Sequence, residues 1–166
     1  VKPLRLPLAF CLAMSAQATP AQEVGAALDF LCERTLHFHD PAHGNQVEYF
    51  RPDGISFLWY PNEPEIIPGE WRLEVTGPGA MDICFRYPED SWNPVTGEYG
   101  GDWECTAFDN FLAHIVEGGI VEGDPLALSS GDIPAPLAPH PPIDLPALAA
   151  GRGERGPSTN CLALVS

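Results

Sequence analysis

Hydrophobic and polar positions alternate most cleanly in "EWRLEV", where Trp71, Leu73 and Val75 are interleaved with Glu70, Arg72 and Glu74. A period of two marks a strand with one buried face. The same period recurs in "MDICFRY", which puts Met81, Ile83, Phe85 and Tyr87 on one face and Asp82, Cys84 and Arg86 on the other. Two further apolar runs, residues 47–50 and 55–60, flank Arg51-Pro52-Asp53-Gly54. The proline presets one dihedral of that turn and the glycine takes the left-handed one, so the two runs predict a hairpin. "DWECTAF" is a further strand beyond a long loop at 88–101, and a last short strand is expected within residues 120–128.

Helical spacing occurs twice. Val24, Leu28, Leu31 and Cys32 fall on one helix face, and so do Phe108, Phe111, Leu112 and Ile115. The second helix is expected to open with Thr106 and Asp109 as a capping box and to stop at Gly118-Gly119. These elements predict an α+β fold: a small antiparallel β-meander of about five strands, a curved sheet or partial barrel, flanked by two helices.

The chain opens with Lys2 and Arg5, an apolar run and the small residues Ala16-Gln17-Ala18. That is the layout of a secretory signal peptide over residues 1–18, and it predicts a periplasmic or secreted protein. The expected domain then covers 19–128. From residue 129 to 166 the sequence is rich in proline and glycine without a hydrophobic period, which predicts an extended or disordered tail.

Charge narrows the function. Of the 8 basic residues, removal of the leader takes 2 and leaves 6, all arginine, against 23 acidic ones. So acidic a surface repels phosphate backbones, which argues against a nucleic-acid partner. With no lysine beyond residue 2, Schiff-base chemistry and a phosphate-binding P-loop both lack their amine. No apolar run approaches the ~20 residues a spanning helix needs, so no integral membrane segment is expected after the leader.

Cys32, Cys84, Cys105 and Cys161 remain after the leader, an even number suited to disulfides in an oxidising compartment. Cys84 and Cys105 lie in neighbouring predicted strands and are paired on that ground, which leaves Cys32 with Cys161.

The densest chemistry is "LHFHDPAHG". His37 and His39 project from one face of an extended chain, and His43 or Asp40 would complete a ligand set for Zn(II) or Cu(II). Trp92, Tyr99 and Trp103 offer a recognition surface, or a cover for the disulfide. "GRGERG" lacks the strand and helix that a dinucleotide fingerprint requires. No nucleophile elbow or catalytic triad can be assembled from the serines and histidines.

The segments "YFRPDG", "PGEWRLEV", "MDICFRYPE" and "WEC" resemble small exported domains of unknown function from Gram-negative bacteria. The matching positions are Tyr49, Phe50, Asp53, Gly54, Gly69, Trp71, Cys84, Phe85, Tyr87 and Cys105, within residues 45–110. The resemblance implies a small β-rich domain and no activity. The chain therefore reads as a non-enzymatic exported module that binds a protein or envelope component, with no cofactor. The alternative is a periplasmic Zn- or Cu-binding protein using the histidine cluster.

Overall fold

The computed structural model describes residues 19–150 and 152. Helix α1 (Pro20–Leu31) begins with proline at its first position, and the Gln22 side chain reaches back to accept the Thr19 N–H at 2.8 Å. Its apolar stripe is the expected one, with Val24, Leu28 and Leu31 buried.

Seven strands form one antiparallel sheet. In chain order these are β1 (Arg34–Asp40), β2 (Gly44–Phe50), β3 (Ile55–Trp59), β4 (Ile67–Gly77), β5 (Ala80–Arg86), β8 (Glu104–Ala107) and β9 (Ile115–Glu122). A separate two-stranded ribbon, β6 (Trp92–Asn93) with β7 (Glu98–Tyr99), sits in the loop between β5 and β8. The spatial order is β8-β5-β4-β3-β2-β1-β9, so the first five strands are a plain meander and the last two take opposite edges.

That arrangement dictates the curvature. Between the edge strands β8 and β9 run only α2 (Phe108–Ala113) and His114. A flat sheet of this width would separate its edges by about 29 Å at ~4.8 Å per strand gap. Six helical residues advance only about 9 Å. The sheet must therefore curl into a half-barrel, with α2 bridging its open side.

Seven strands stand where the alternation predicts about five. One addition is β1, formed by the histidine stretch itself. The last strand, expected within residues 120–128, is β9, which starts earlier, at Ile115, and takes the second half of the expected helix. That helix ends at Ala113 instead of Gly118-Gly119, because pairing with β1 satisfies the backbone that a longer helix would have used. The glycine pair serves a shift in the β1–β9 register: Gly118 takes a positive φ of 72°, and a Cβ on Gly119 would lie 2.9 Å from the His37 carbonyl oxygen.

The sheet buries both faces. Inside the curl, Leu36, Phe38, Phe50, Trp71, Leu73 and Ile83 pack with α1 and with Phe111 of α2. Outside, Val47, Tyr49, Phe57 and Trp59 pack with Ile66 and with Leu126, Leu128, Leu137 and Leu145 from the segment after β9. The described part of the proline-rich stretch, residues 129–150, thus lies against the sheet and ends in a short helix, α3 (Leu145–Ala149). It has no period of its own because each leucine fills a gap set by the strands. Trp59 Nε1 donates to the Ala135 carbonyl at 3.1 Å and the Asn45 N–H to that of Pro139 at 2.9 Å, fastening the strap.

Cys84 and Cys105 face each other across β5 and β8 and form a disulfide on the outer face. Trp103 lies on this side of the sheet against two guanidinium groups, with Arg72 4.0 Å and Arg86 4.9 Å from the ring centroid. Cys161 falls outside the described residues, and the expected Cys32–Cys161 pairing with it.

Candidate functional site

The predicted histidine set does not converge. His37 is fully buried on the outer face of β1, where its Nε2 lies 2.7 Å from Asn45 Oδ1. Asn45 Nδ2 donates to the Ala138 and Pro141 carbonyls, both at 2.8 Å, so its Oδ1 must be the acceptor and His37 Nε2 must carry the proton. Nδ1 is then a lone pair, buried without a hydrogen-bond partner among the described residues. Burial holds the His37 pKa below the ordinary imidazole value, against the Asn45 hydrogen bond that raises it, and nearby His39 lowers it further.

His39 points the same way but pairs with His140 of the strap at 2.9 Å. His43 lies in the β1–β2 turn and meets the Tyr60 hydroxyl at 3.0 Å. Asp40 holds that turn together by accepting the Ala42 and His43 N–H groups at 2.8 and 2.9 Å. Each residue of the set is occupied by a different neighbour. Among the described residues the one grouping of three potential ligands within metal-binding reach is Glu74 with Cys84 and Cys105. Its sulfurs are spent in the disulfide, whereas a metal needs thiolates.

Trp92 and Tyr99 pair across the β6–β7 ribbon with ring centroids 4.9 Å apart, both largely exposed. Trp103 is not with them; it contacts the Arg72 and Arg86 guanidinium groups beside the disulfide.

The feature that alternation alone did not single out is the open end of the half-barrel. A cavity of about 700 Å³ lies there, walled by Phe38, Phe85 and Phe111, with Gln46, Glu48 and Tyr87 as polar groups on its inner surface. Asp40, His43, Asn93, Glu104 and His114 stand around it. A side recess of about 90 Å³ shares His43, Gln46, Tyr87 and Asn93 and reaches Trp92.

Glu48 is the unusual group. It sits on β2 next to Phe50, one residue out of phase with the outward-facing Val47 and Tyr49, so strand geometry turns it inward. It is 4% exposed. Tyr87 donates its hydroxyl to Glu48 Oε1 at 3.0 Å, and no hydrogen bond reaches Oε2 among the described residues. The Ser56 hydroxyl is buried nearby without meeting hydrogen-bond geometry to any partner among the described residues. Burial pushes the Glu48 pKa up to about 7, although the Ser56 and Tyr87 hydroxyls pull it down. Burial and the adjacent carboxyl push the Tyr87 phenol well above its usual range. A carboxyl poised near neutrality in an aromatic cavity can accept or release a proton as a ligand arrives.

Asp40 at the mouth behaves oppositely. Burial would raise its pKa, but the His43 and Ala42 N–H groups and the imidazoles of His43 and His114 hold it below the ordinary carboxylate value. The site thus has a fixed negative charge at its rim and a switchable one within.

The sequence did contain the signal for Glu48. In "VEYF" both parities carry apolar side chains, so neither face of that strand is free for solvent, and the glutamate between Val47 and Tyr49 has to be buried.

No helix among the described residues is long and apolar enough to cross a membrane. No protein-family model, curated protein or solved structure matches the chain.

Proposed function

We propose that this is an exported, non-enzymatic binding module whose site is the cavity at the open end of the half-barrel. The observation that carries the reading is the buried Glu48 carboxyl on the wall of an aromatic cavity of about 700 Å³. That volume is in the range of small-molecule sites, and a few polar groups in an apolar pocket are what orient a ligand there. The leader-like first 18 residues and the Cys84–Cys105 disulfide suit a periplasmic or secreted location.

Binding is preferred to catalysis because the neighbours of Glu48 among the described residues are the Tyr87 and Ser56 hydroxyls, with no histidine or second carboxyl hydrogen-bonded to it to complete an acid–base or nucleophile pair. Metal binding by His37, His39, His43 and Asp40 is the weaker alternative, since their ring nitrogens and carboxylate serve separate partners.

Thr106 pairs with the inward-facing Ile83 and borders the cavity without joining the core. Thr106→Trp should fill the cavity and leave the fold intact. A small-molecule fragment screen by NMR should give shifts at Phe38, Glu48, Phe85 and Phe111 that Thr106→Trp abolishes. Fragments that bind elsewhere only, or are insensitive to Thr106→Trp, would contradict the reading.

A further inference from the structure

We infer that the cavity selects an organic cation: a ligand with an aromatic or aliphatic body and a protonated amine, for which Glu48 is the counter-ion. The inference rests on the cavity being the binding site and adds the charge of its ligand.

Three observations carry it. Glu48 Oε1 accepts from Tyr87, the nearby Ser56 hydroxyl stays outside hydrogen-bond geometry, and no hydrogen bond reaches Oε2 among the described residues, so the cavity-lining carboxyl has acceptor capacity left for a donor that enters. The walls are aromatic: Phe38, Phe85, Tyr87 and Phe111 line the cavity as one ring cluster, with Phe38 and Phe111 4.9 Å apart between centroids, Phe85 and Phe111 5.9 Å, and Phe85 stacked on Tyr87 at 6.2 Å. Aromatic faces attract ammonium groups and pack against apolar bodies. The charged groups around the cavity complete the case. Asp40 and Glu104 are acidic, the basic groups there are the imidazoles of His43 and His114, and no arginine lines it. A carboxylate ligand would meet Glu48 with like charge, and a neutral one would leave the ionised form unpaired.

Cation binding requires the carboxylate, so it is linked to proton release. With Glu48 titrating at about 7, the ionised fraction falls roughly thirtyfold between pH 8 and pH 5.5. An alkylammonium, whose pKa is near ~10 like that of lysine, keeps its charge throughout. The imidazoles of His43 and His114 also line the cavity, so the contribution of Glu48 is isolated by substitution.

The test uses three probes of one shape: phenethylammonium, neutral phenethyl alcohol and anionic phenylacetate. They are titrated into wild type and Glu48→Gln at pH 8 and pH 5.5, with NMR shifts reporting location. Phenethylammonium should bind wild type at least tenfold more tightly than the alcohol at pH 8. That preference should fall about tenfold or more at pH 5.5, and in Glu48→Gln at pH 8. Calorimetry in two buffers of different ionisation enthalpy should show proton release on ammonium binding to wild type, a readout that does not depend on the variant folding. If the alcohol or the acid binds in the cavity as tightly as the ammonium, the cation inference is overturned and the cavity remains a site. If no probe shifts the cavity residues, both the inference and the binding reading fall.

Discussion

Gly69 and Tyr87 are packed so closely that a Cβ on residue 69 would lie 2.7 Å from Tyr87 Cε1. The absent side chain lets the tyrosine ring lie against β4, and in that position its hydroxyl reaches Glu48 on β2. The "PGEWRLEV" and "MDICFRYPE" segments are therefore one device, a glycine covered by an aromatic that positions the buried carboxyl. Gly69→Ala should cost about 1–3 kcal/mol through overpacking. Tyr87→Phe should cost about 1–3 kcal/mol by removing the donor to a buried acceptor, with the larger loss above pH 7, where Glu48 is ionised. Urea denaturation of both variants at pH 5 and pH 8 checks these values.

A buried acid with a raised pKa makes the native state hold its proton more tightly than the unfolded chain does. Stability from this group is present below the unfolded value of 4.5 and is lost as pH rises through about 7. The loss is on the order of 3 kcal/mol. His37 works the other way, because its lowered pKa makes the unfolded chain take up protons first as pH falls below 6.5. Raw stability curves mix the two. The difference between Glu48→Gln and wild type isolates the glutamate, and it should move in favour of the variant by about that amount from pH 4.5 to pH 8, measured by urea denaturation.

Asn45 joins β2, β1 and the strap in one set of side-chain hydrogen bonds. Its Nδ2 serves two strap carbonyls, while its Oδ1 accepts from His37 and, at 3.3 Å, from the Ile143 N–H. Asn45→Ala should destabilise by about 2–4 kcal/mol, since several buried polar groups lose partners together. Hydrogen exchange should accelerate at Ile143, and Trp59 fluorescence should shift as the strap loosens.

The disulfide closes a loop with a sequence separation of 21 residues. Replacing Cys84 and Cys105 by alanine should lower stability by about 3 kcal/mol on the loop-entropy account. Thermal or denaturant unfolding of the double variant against wild type measures it.

Much of the sheet could be read from the chain because β4 and β5 place Trp71, Leu73, Ile83 and Phe85 inward and Arg72 and Arg86 outward, which leaves a period of two. β1 escaped that reading. Its Leu36 and Phe38 enter the inner core and alternate with the polar Thr35, His37 and His39, but Thr35 and His37 are buried under the outer cover, so the histidines that stand out as candidate ligands are the covered face of a strand. The helical spacing of Phe108, Phe111, Leu112 and Ile115 is real up to Ala113, but the free edge of β1 captures Ile115. Leu126, Leu128, Leu137 and Leu145 have irregular spacing because an extended strap follows the shape of the sheet and has no repeat. The site was hidden for a related reason. A histidine-rich stretch stands out in composition, whereas Glu48 is marked only by its register within a strand buried on both faces.

Direct titration of the Glu48 side-chain carboxyl by carbon-detected NMR, with and without phenethylammonium, tests the central claim most closely. The account predicts a midpoint of about 7 in the free protein and a downward displacement when the ammonium is present. A midpoint near the ordinary value of 4.5 in both samples would contradict it, leaving Glu48 an acid in contact with water and the cavity without its switchable charge.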